Sequence, residues 1–154
     1  MSTTIKRLSL ETIKLLVESG NHKLLARSPQ NIINYKNFQE RVLKEWTSMN
    51  DYVKYRYLTA YEKRIDANGK KYAVLSNNEL SYTLAINSFP YFIDENLDHM
   101  TLWATEPLQA TRVEEILNRY FDTNNRYWFE QPIDLKSIKG VWHVHVFVPR
   151  QLIH

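Results

Sequence analysis

The chain has no cysteine in its 154 residues, which excludes disulfide staples and thiolate metal sites and is compatible with a reducing compartment. It also has no uninterrupted apolar window approaching the ~18 residues of a membrane span. Its opening stretch, "MSTTIKRLSLETIKLL", carries charges inside the apolar residues and has no small-residue cleavage site, so no export leader is expected. Repeats, linkers and low-complexity segments are absent too. Together these absences predict a soluble, cytoplasmic protein with no membrane partner. What is present suits one core: 44% of residues are apolar and 13% aromatic, enough to fold at this length without staples.

Charge is unevenly spread. Residues 1–71 hold 14 Lys and Arg against 7 Asp and Glu, whereas residues 72–154 hold 6 against 10. A basic half can face a polyanion. Here the cations are scattered through amphipathic segments and read first as solvated helical surface.

The front of the chain has helical periodicity. In "SLETIKLLVESGNH", Leu10, Ile13, Leu16 and Val17 share a face, with Ser9 as N-cap and Gly20 as the stop. "SPQNIINYKNFQERVLKEW" begins with Ser28 as cap and Pro29 at the first helical position, where its missing N–H costs nothing. "NDYVKYRYLTAYE" reads as a further short helix. The period then changes. "YEKRIDANGKKYAVL" signals a hairpin around Asn68-Gly69. "LSYTLAIN" alternates Leu80, Tyr82, Leu84 and Ile86 with polar or small residues, as a half-buried strand does. "HMTLWATE" reads as a strand, "TRVEEILNRYF" as a helix with the stripe Val113, Ile116, Leu117 and Tyr120, and "RYWFEQP" as a short aromatic strand. The expected fold is α+β with an antiparallel sheet, arranged as a helical segment over residues 1–50 packed on an α+β domain over 51–154.

"GVWHVHVFVPR" is the most informative stretch. In a strand, His143, His145 and Phe147 point one way and Val144, Val146 and Val148 the other. The valine face is core. An unpaired imidazole in an apolar interior is costly, so the histidine face is expected to meet water, a ligand or polar partners. Three readings follow: hydrogen-bonded histidines on a partly exposed sheet, a metal site with His99 as third ligand, or an imidazole that attacks phosphorus. Against the metal, the rest of the chain offers no H-x-x-x-H and no carboxylate at a telling spacing.

Several separated motifs from Tyr52 to Pro149 resemble the fungal N-acetylglucosamine-induced protein family: "NSFPY", "HMTLW", "WFEQP", "LKS" and "HVHV". The first fifty residues lie outside that resemblance. The same segments are similar, more distantly, to the histidine triad (HIT) nucleotide hydrolases and transferases. That family's strand pattern is H-φ-H-φ-H-φ-φ, which "HVHVFVP" fits except at Phe147, and Asn87, Pro90 and His99 fall in matching places upstream.

The HIT resemblance implies a HIT-like sheet with flanking helices and a helical N-terminal extension. It assigns His145 as the nucleophile that attacks the α-phosphorus of a nucleotide and His143 as a group orienting phosphate oxygens. Asn87 would meet the ribose, Gln131 the phosphate or leaving group, and Ser137 the phosphate, with His99 in the site and Lys136 supplying positive potential. No metal or other cofactor is implied. The ligand would be a nucleotide or nucleotide conjugate, with an RNA cap as the sole nucleic-acid candidate. The chain would form a two-fold homodimer, unless the N-terminal segment covers that surface. Phe at the third position cannot donate a hydrogen bond, so the alternative is a catalytically inactive nucleotide sensor or a protein-interaction domain.

Overall fold

A computed structural model describes residues 6–122 and 124–150. Three helices come first. Helix α1 (Leu10–Glu18) is capped by the Ser9 hydroxyl, which accepts from the Thr12 amide at 3.1 Å. Helix α2 (Pro29–Glu45) is capped by Ser28, accepting from Asn31 at 3.2 Å, and α3 (Met49–Tyr57) by Ser48, accepting from Asp51 at 3.1 Å. Each cap satisfies an amide that has no partner within its helix. A single 3-10 turn, His22–Leu24, joins α1 to α2.

Strands β1 (Tyr61–Ile65) and β2 (Lys71–Leu75) form a separate antiparallel hairpin. Its turn is wider than an Asn-Gly pair: Asp66 Oδ1 accepts from the amides of Asn68 and Lys70, each at 2.9 Å, alongside the backbone bonds from Asp66 N–H to Lys70 and from Gly69 N–H to Asp66. Gly69 takes the positive φ, 81°, while Asn68 does not.

The main sheet contains β3 (Tyr82–Ile86), β4 (Leu97–Ala104), β5 (Tyr127–Phe129) and β6 (Trp142–Pro149), with helix α4 (Ala110–Tyr120) between β4 and β5 in sequence. All neighbours are antiparallel, in the order β3-β4-β6-β5. The fold is α+β, as expected. The last strand in sequence is thus internal, held on both sides.

The valine face packs as the alternation requires. Val144, Val146 and Val148 meet Leu102 and the α4 stripe of Val113, Ile116 and Leu117, all completely enclosed; each such side chain contributes about 1.5–3 kcal/mol. Three residues assigned to apolar faces stand out in solvent instead. Tyr120, the last residue of α4, is exposed, as are Ile86, the end of edge strand β3, and Leu80, which precedes that strand.

The histidine face is buried, not partly exposed, and its imidazoles meet polar partners within the fold. Ile13 of α1 and Leu25 pack with Tyr91, Ile93, Leu97, Phe129 and Phe147. The N-terminal segment is pinned there by backbone bonds from Leu8 N–H to Phe92 and from Asp94 N–H to Leu8. Both sheet faces are therefore covered, the second in part by residues that precede Tyr52 and in part by α3 and the segment before β4.

Candidate functional site

Antiparallel register decides which side chains meet. On β4 and β6, Thr101 lies opposite His145, Trp103 opposite His143 and His99 opposite Phe147, and on β5 Phe129 lies opposite His145. Directly opposed residues share a face. The histidine face of β6 is thus continuous with His99, Thr101, Trp103 and Phe129, and Asn87 follows β3 beside them.

Hydrogen-bond partners fix the proton positions on these rings. The Tyr91 amide donates to His99 Nδ1 at 3.1 Å, so that nitrogen holds a lone pair and the proton of the neutral ring is on Nε2. His99 Nε2–H then donates to His145 Nδ1 at 2.8 Å. His145 in turn carries its proton on Nε2. Asn87 does not take part in this chain: its Oδ1 accepts from the Phe89 amide at 2.8 Å, which turns Nδ2 toward Thr101 Oγ1 at 3.2 Å. The 3.4 Å approach of Nδ2 to His99 Nε2 then sets two N–H groups face to face and is not a hydrogen bond.

His143 has the opposite tautomer. Its Nδ1 lies 2.9 Å from the Val141 carbonyl, which can only accept, so Nδ1 carries the proton and Nε2 the lone pair. Neither His143 Nε2 nor His145 Nε2 has a partner among the described residues, and neither is fully enclosed; the enclosed atom without a partner is Gln131 Oε1. Both nitrogens therefore reach open space.

Burial keeps all three rings neutral. His99 is pushed down to about 3 by desolvation, with Arg27 adding to the effect. His145 lies well below the usual imidazole range through desolvation and the neighbouring His99 and His143. His143 is lowered by desolvation, partly opposed by its bond to Val141.

Two adjoining cavities, each about 210 Å³, share His143, His145, Arg27 and Ser137 in their walls. One is aromatic, with Tyr35, Phe38, Tyr52, Tyr57, Phe89 and Trp103. Tyr57 stacks on Trp103 at 5.3 Å and 12°, and Trp103 lies against His143 at 4.6 Å. The other is basic and polar, with His22, Lys23, Gln131 and Lys136. Joined, they fall within the ~300–1,000 Å³ of small-molecule sites.

The structure thus gathers His143, His145, Ser137, Gln131, Lys136 and Asn87 around these two cavities. His99 lines neither of them; it stands behind His145 and sets its tautomer. Lys136 is paired with Glu130 at 2.7 Å. Phe147 is completely enclosed among Tyr91, His99 and Phe129 and touches neither cavity. Among the described residues no group of three or more His, Asp or Glu is placed to hold a metal ion, and both ring nitrogens of His99 are engaged, by the Tyr91 amide and by His145.

Residues not picked out from the sequence are Arg27, His22, Lys23 and the tyrosines of α2 and α3. Arg27 donates from Nε to the Phe89 carbonyl at 2.8 Å and lies 4.4 Å over the Tyr35 ring. Their sequence signal was only the excess of cations in the first half.

A family model described as "Protein of unknown function (DUF3605)" matches residues 9–149. The chain belongs to this family. The match corrects the expectation that family likeness begins at Tyr52, since α1, α2 and Arg27 fall inside it. One relative is "N-acetylglucosamine-induced protein 1" of Candida albicans, 22% identical across 88% of this chain and 66% of the relative. Another is the uncharacterized protein YPL067C of Saccharomyces cerevisiae, 26% identical across 92% of this chain and 79% of the relative. The chain thus spans just under two thirds of the length of the Candida protein. Among solved structures, the crystal structure of HTC1 matches with a TM-score of 0.65 at 20% identity, covering 94% of this chain and 86% of that one. That likeness establishes a shared fold. No helix among the described residues is long and apolar enough to cross a membrane.

Proposed function

We propose that this member of the family binds a nucleoside phosphate conjugate across the two cavities and takes its nucleotidyl group onto His143. One observation carries the proposal: the lone pair of His143 Nε2, kept neutral by burial, sits at the boundary between an aromatic cavity suited to a base and a basic cavity suited to phosphate. Phosphoryl centres need little from a protein beyond a positioned nucleophile and donors.

In the first step the Nε2 lone pair forms a P–N bond to the α-phosphorus. The bond from phosphorus to the leaving group breaks, and that group departs with the electron pair. In the second step a water oxygen bonds to phosphorus, the P–N bond breaks and returns the pair to Nε2, and the water proton passes to solvent. Two displacements replace one harder one. His145 Nε2–H, whose tautomer His99 sets, donates to a non-bridging oxygen, a charge-assisted bond of the strong kind. Relative to the HIT pattern, the roles of His143 and His145 are exchanged, and Phe147 is a packing residue with no donor to lose. Tyr52, Tyr57 and Phe89, which line the aromatic cavity and are only partly buried, provide ring surface for a base.

The test is chromatographic detection of mononucleotide released from diadenosine polyphosphates, adenosine phosphoramidate, nucleotide sugars and cap analogues. The native protein is expected to release mononucleotide from at least one of them, His143→Ala to abolish release, and His145→Ala to slow it by ~10²–10³-fold, the usual cost of losing one positioned donor. Release undiminished in His143→Ala would overturn the mechanism. Nucleotide binding without release in the native protein would replace it with the sensor.

A further inference from the structure

The basic cavity contains more than phosphoryl transfer at His143 requires. Its wall includes Lys23, Arg27 and Lys136 together with His22, and no carboxylate. Lys136 is balanced by Glu130, outside the cavity. Among the described residues Lys23 is exposed and unpaired, and neither η nitrogen of Arg27 makes a hydrogen bond or ion pair. The Arg27 guanidinium is instead held by two contacts, from Nε to the Phe89 carbonyl and over the Tyr35 ring. Such a guanidinium has already lost much of its rotamer freedom and presents its remaining N–H groups in a fixed fork, the geometry that suits phosphate oxygens.

A second observation is independent of charge. Gln131 is 6% exposed, lines this cavity, and bonds through its amide to the Tyr91 hydroxyl at 3.0 Å, yet its other amide atom is enclosed without a partner. Exchanging O and N of this amide, an orientation that only its hydrogen-bond partners decide, lets Tyr91 O–H donate to Oε1 and leaves an unpaired NH₂ in the enclosed position. A buried polar group left without a partner is unfavourable, and an incoming oxygen acceptor relieves it.

We infer that the basic cavity is a polyphosphate subsite in which Arg27, with Lys23 and the Gln131 amide, holds a chain of two or more phosphate groups. The inference rests on the nucleotidyl-transfer proposal for what lies at the other end of that chain, and it selects conjugates whose leaving group is a chain of two or more phosphates over amines and sugar monophosphates. The cations come from the turn between α1 and α2, so the N-terminal segment determines leaving-group specificity. Lys136, already neutralised, contributes less.

The experiment is isothermal titration of the full chain with sodium tripolyphosphate, with orthophosphate as comparator and no nucleotide present. Tripolyphosphate is expected to bind at least about tenfold more tightly than orthophosphate, as several charge-assisted bonds replace one. Arg27→Gln, which keeps a donor for Phe89, should weaken it about tenfold. Lys23→Ala, at an exposed position that cannot affect the core, should weaken it about threefold, and added salt should weaken the native complex. No binding by the native protein, or equal binding by both variants, overturns the subsite. If tripolyphosphate binds as described while no conjugate is turned over, the subsite stands and the transfer proposal fails. If adenosine phosphoramidate is turned over while tripolyphosphate neither binds nor inhibits, the subsite fails alone.

Discussion

Acid should unfold this protein through its site, and the structure gives the size of the effect. His99 is pushed down to about 3 in the fold by burial, against an ordinary value of about 6.5 when unfolded. Between those values the unfolded chain binds a proton that the folded chain refuses, so stability rises with pH across the interval and is lost as pH falls below about 6.5. Each unit costs about 1.4 kcal/mol. Going from about pH 7.5 to about pH 5 therefore removes about 2 kcal/mol through His99 alone, and His145 and His143, lowered by the same burial, add in the same sense. Against a total of about 5–15 kcal/mol this is a large share. Glu114, held below its usual range by bonds from Arg126 and Trp128, acts only at lower pH, so the interval isolates the histidines. Urea unfolding at a series of pH values measures the loss as a falling midpoint, of order 1 M over the interval, while proton NMR follows the His99 ring. A stability flat between about pH 7.5 and about pH 5, or a His99 resonance titrating near its ordinary value, would refute the burial and the hydrogen-bond chain together.

Other outcomes follow from particular contacts. Imidazole ¹⁵N shifts should report Nδ1–H for His143 and Nε2–H for His99 and His145; a shared tautomer for all three would remove the proposed division of roles. Phe147→His should lower stability and leave turnover no higher, because position 147 reaches neither cavity and places an imidazole among rings; a gain in rate would show that a third histidine is missed. Tyr57→Ala should weaken binding of a nucleoside monophosphate by about 1–3 kcal/mol, the usual cost of one lost stack, while tripolyphosphate binding persists. Equal nucleotide affinity would take the base out of the aromatic cavity. Ser28→Ala should cost about 1 kcal/mol in a urea melt as α2 loses its cap, and no change would mean the Asn31 amide finds another partner.

Much of the fold was legible because it is local. The caps at Ser9 and Ser28, the α4 stripe of Val113, Ile116 and Leu117, and the valine face of β6 follow from spacing within one element. What covers the histidine face was not, since an amphipathic helix such as α1 declares that it needs an apolar partner without saying which. The position of β6 inside the sheet is likewise a matter of pairing between distant strands. The division between His143 and His145 depends on who donates to whom: the Val141 carbonyl and the Tyr91 amide decide it, and neither is a side-chain pattern. Arg27 reads in sequence as one more solvated cation. Only the closure of the α1–α2 turn over the sheet places it between the two cavities.

The most direct test of the account is to trap the covalent species. Protein turning over the best conjugate is quenched in alkali, which preserves P–N bonds, then digested and sequenced by mass spectrometry for a nucleotidyl mass on histidine. The account predicts that mass on His143 and on no other histidine. Its appearance on His145, or its absence from both during active turnover, would contradict the assignment of the nucleophile.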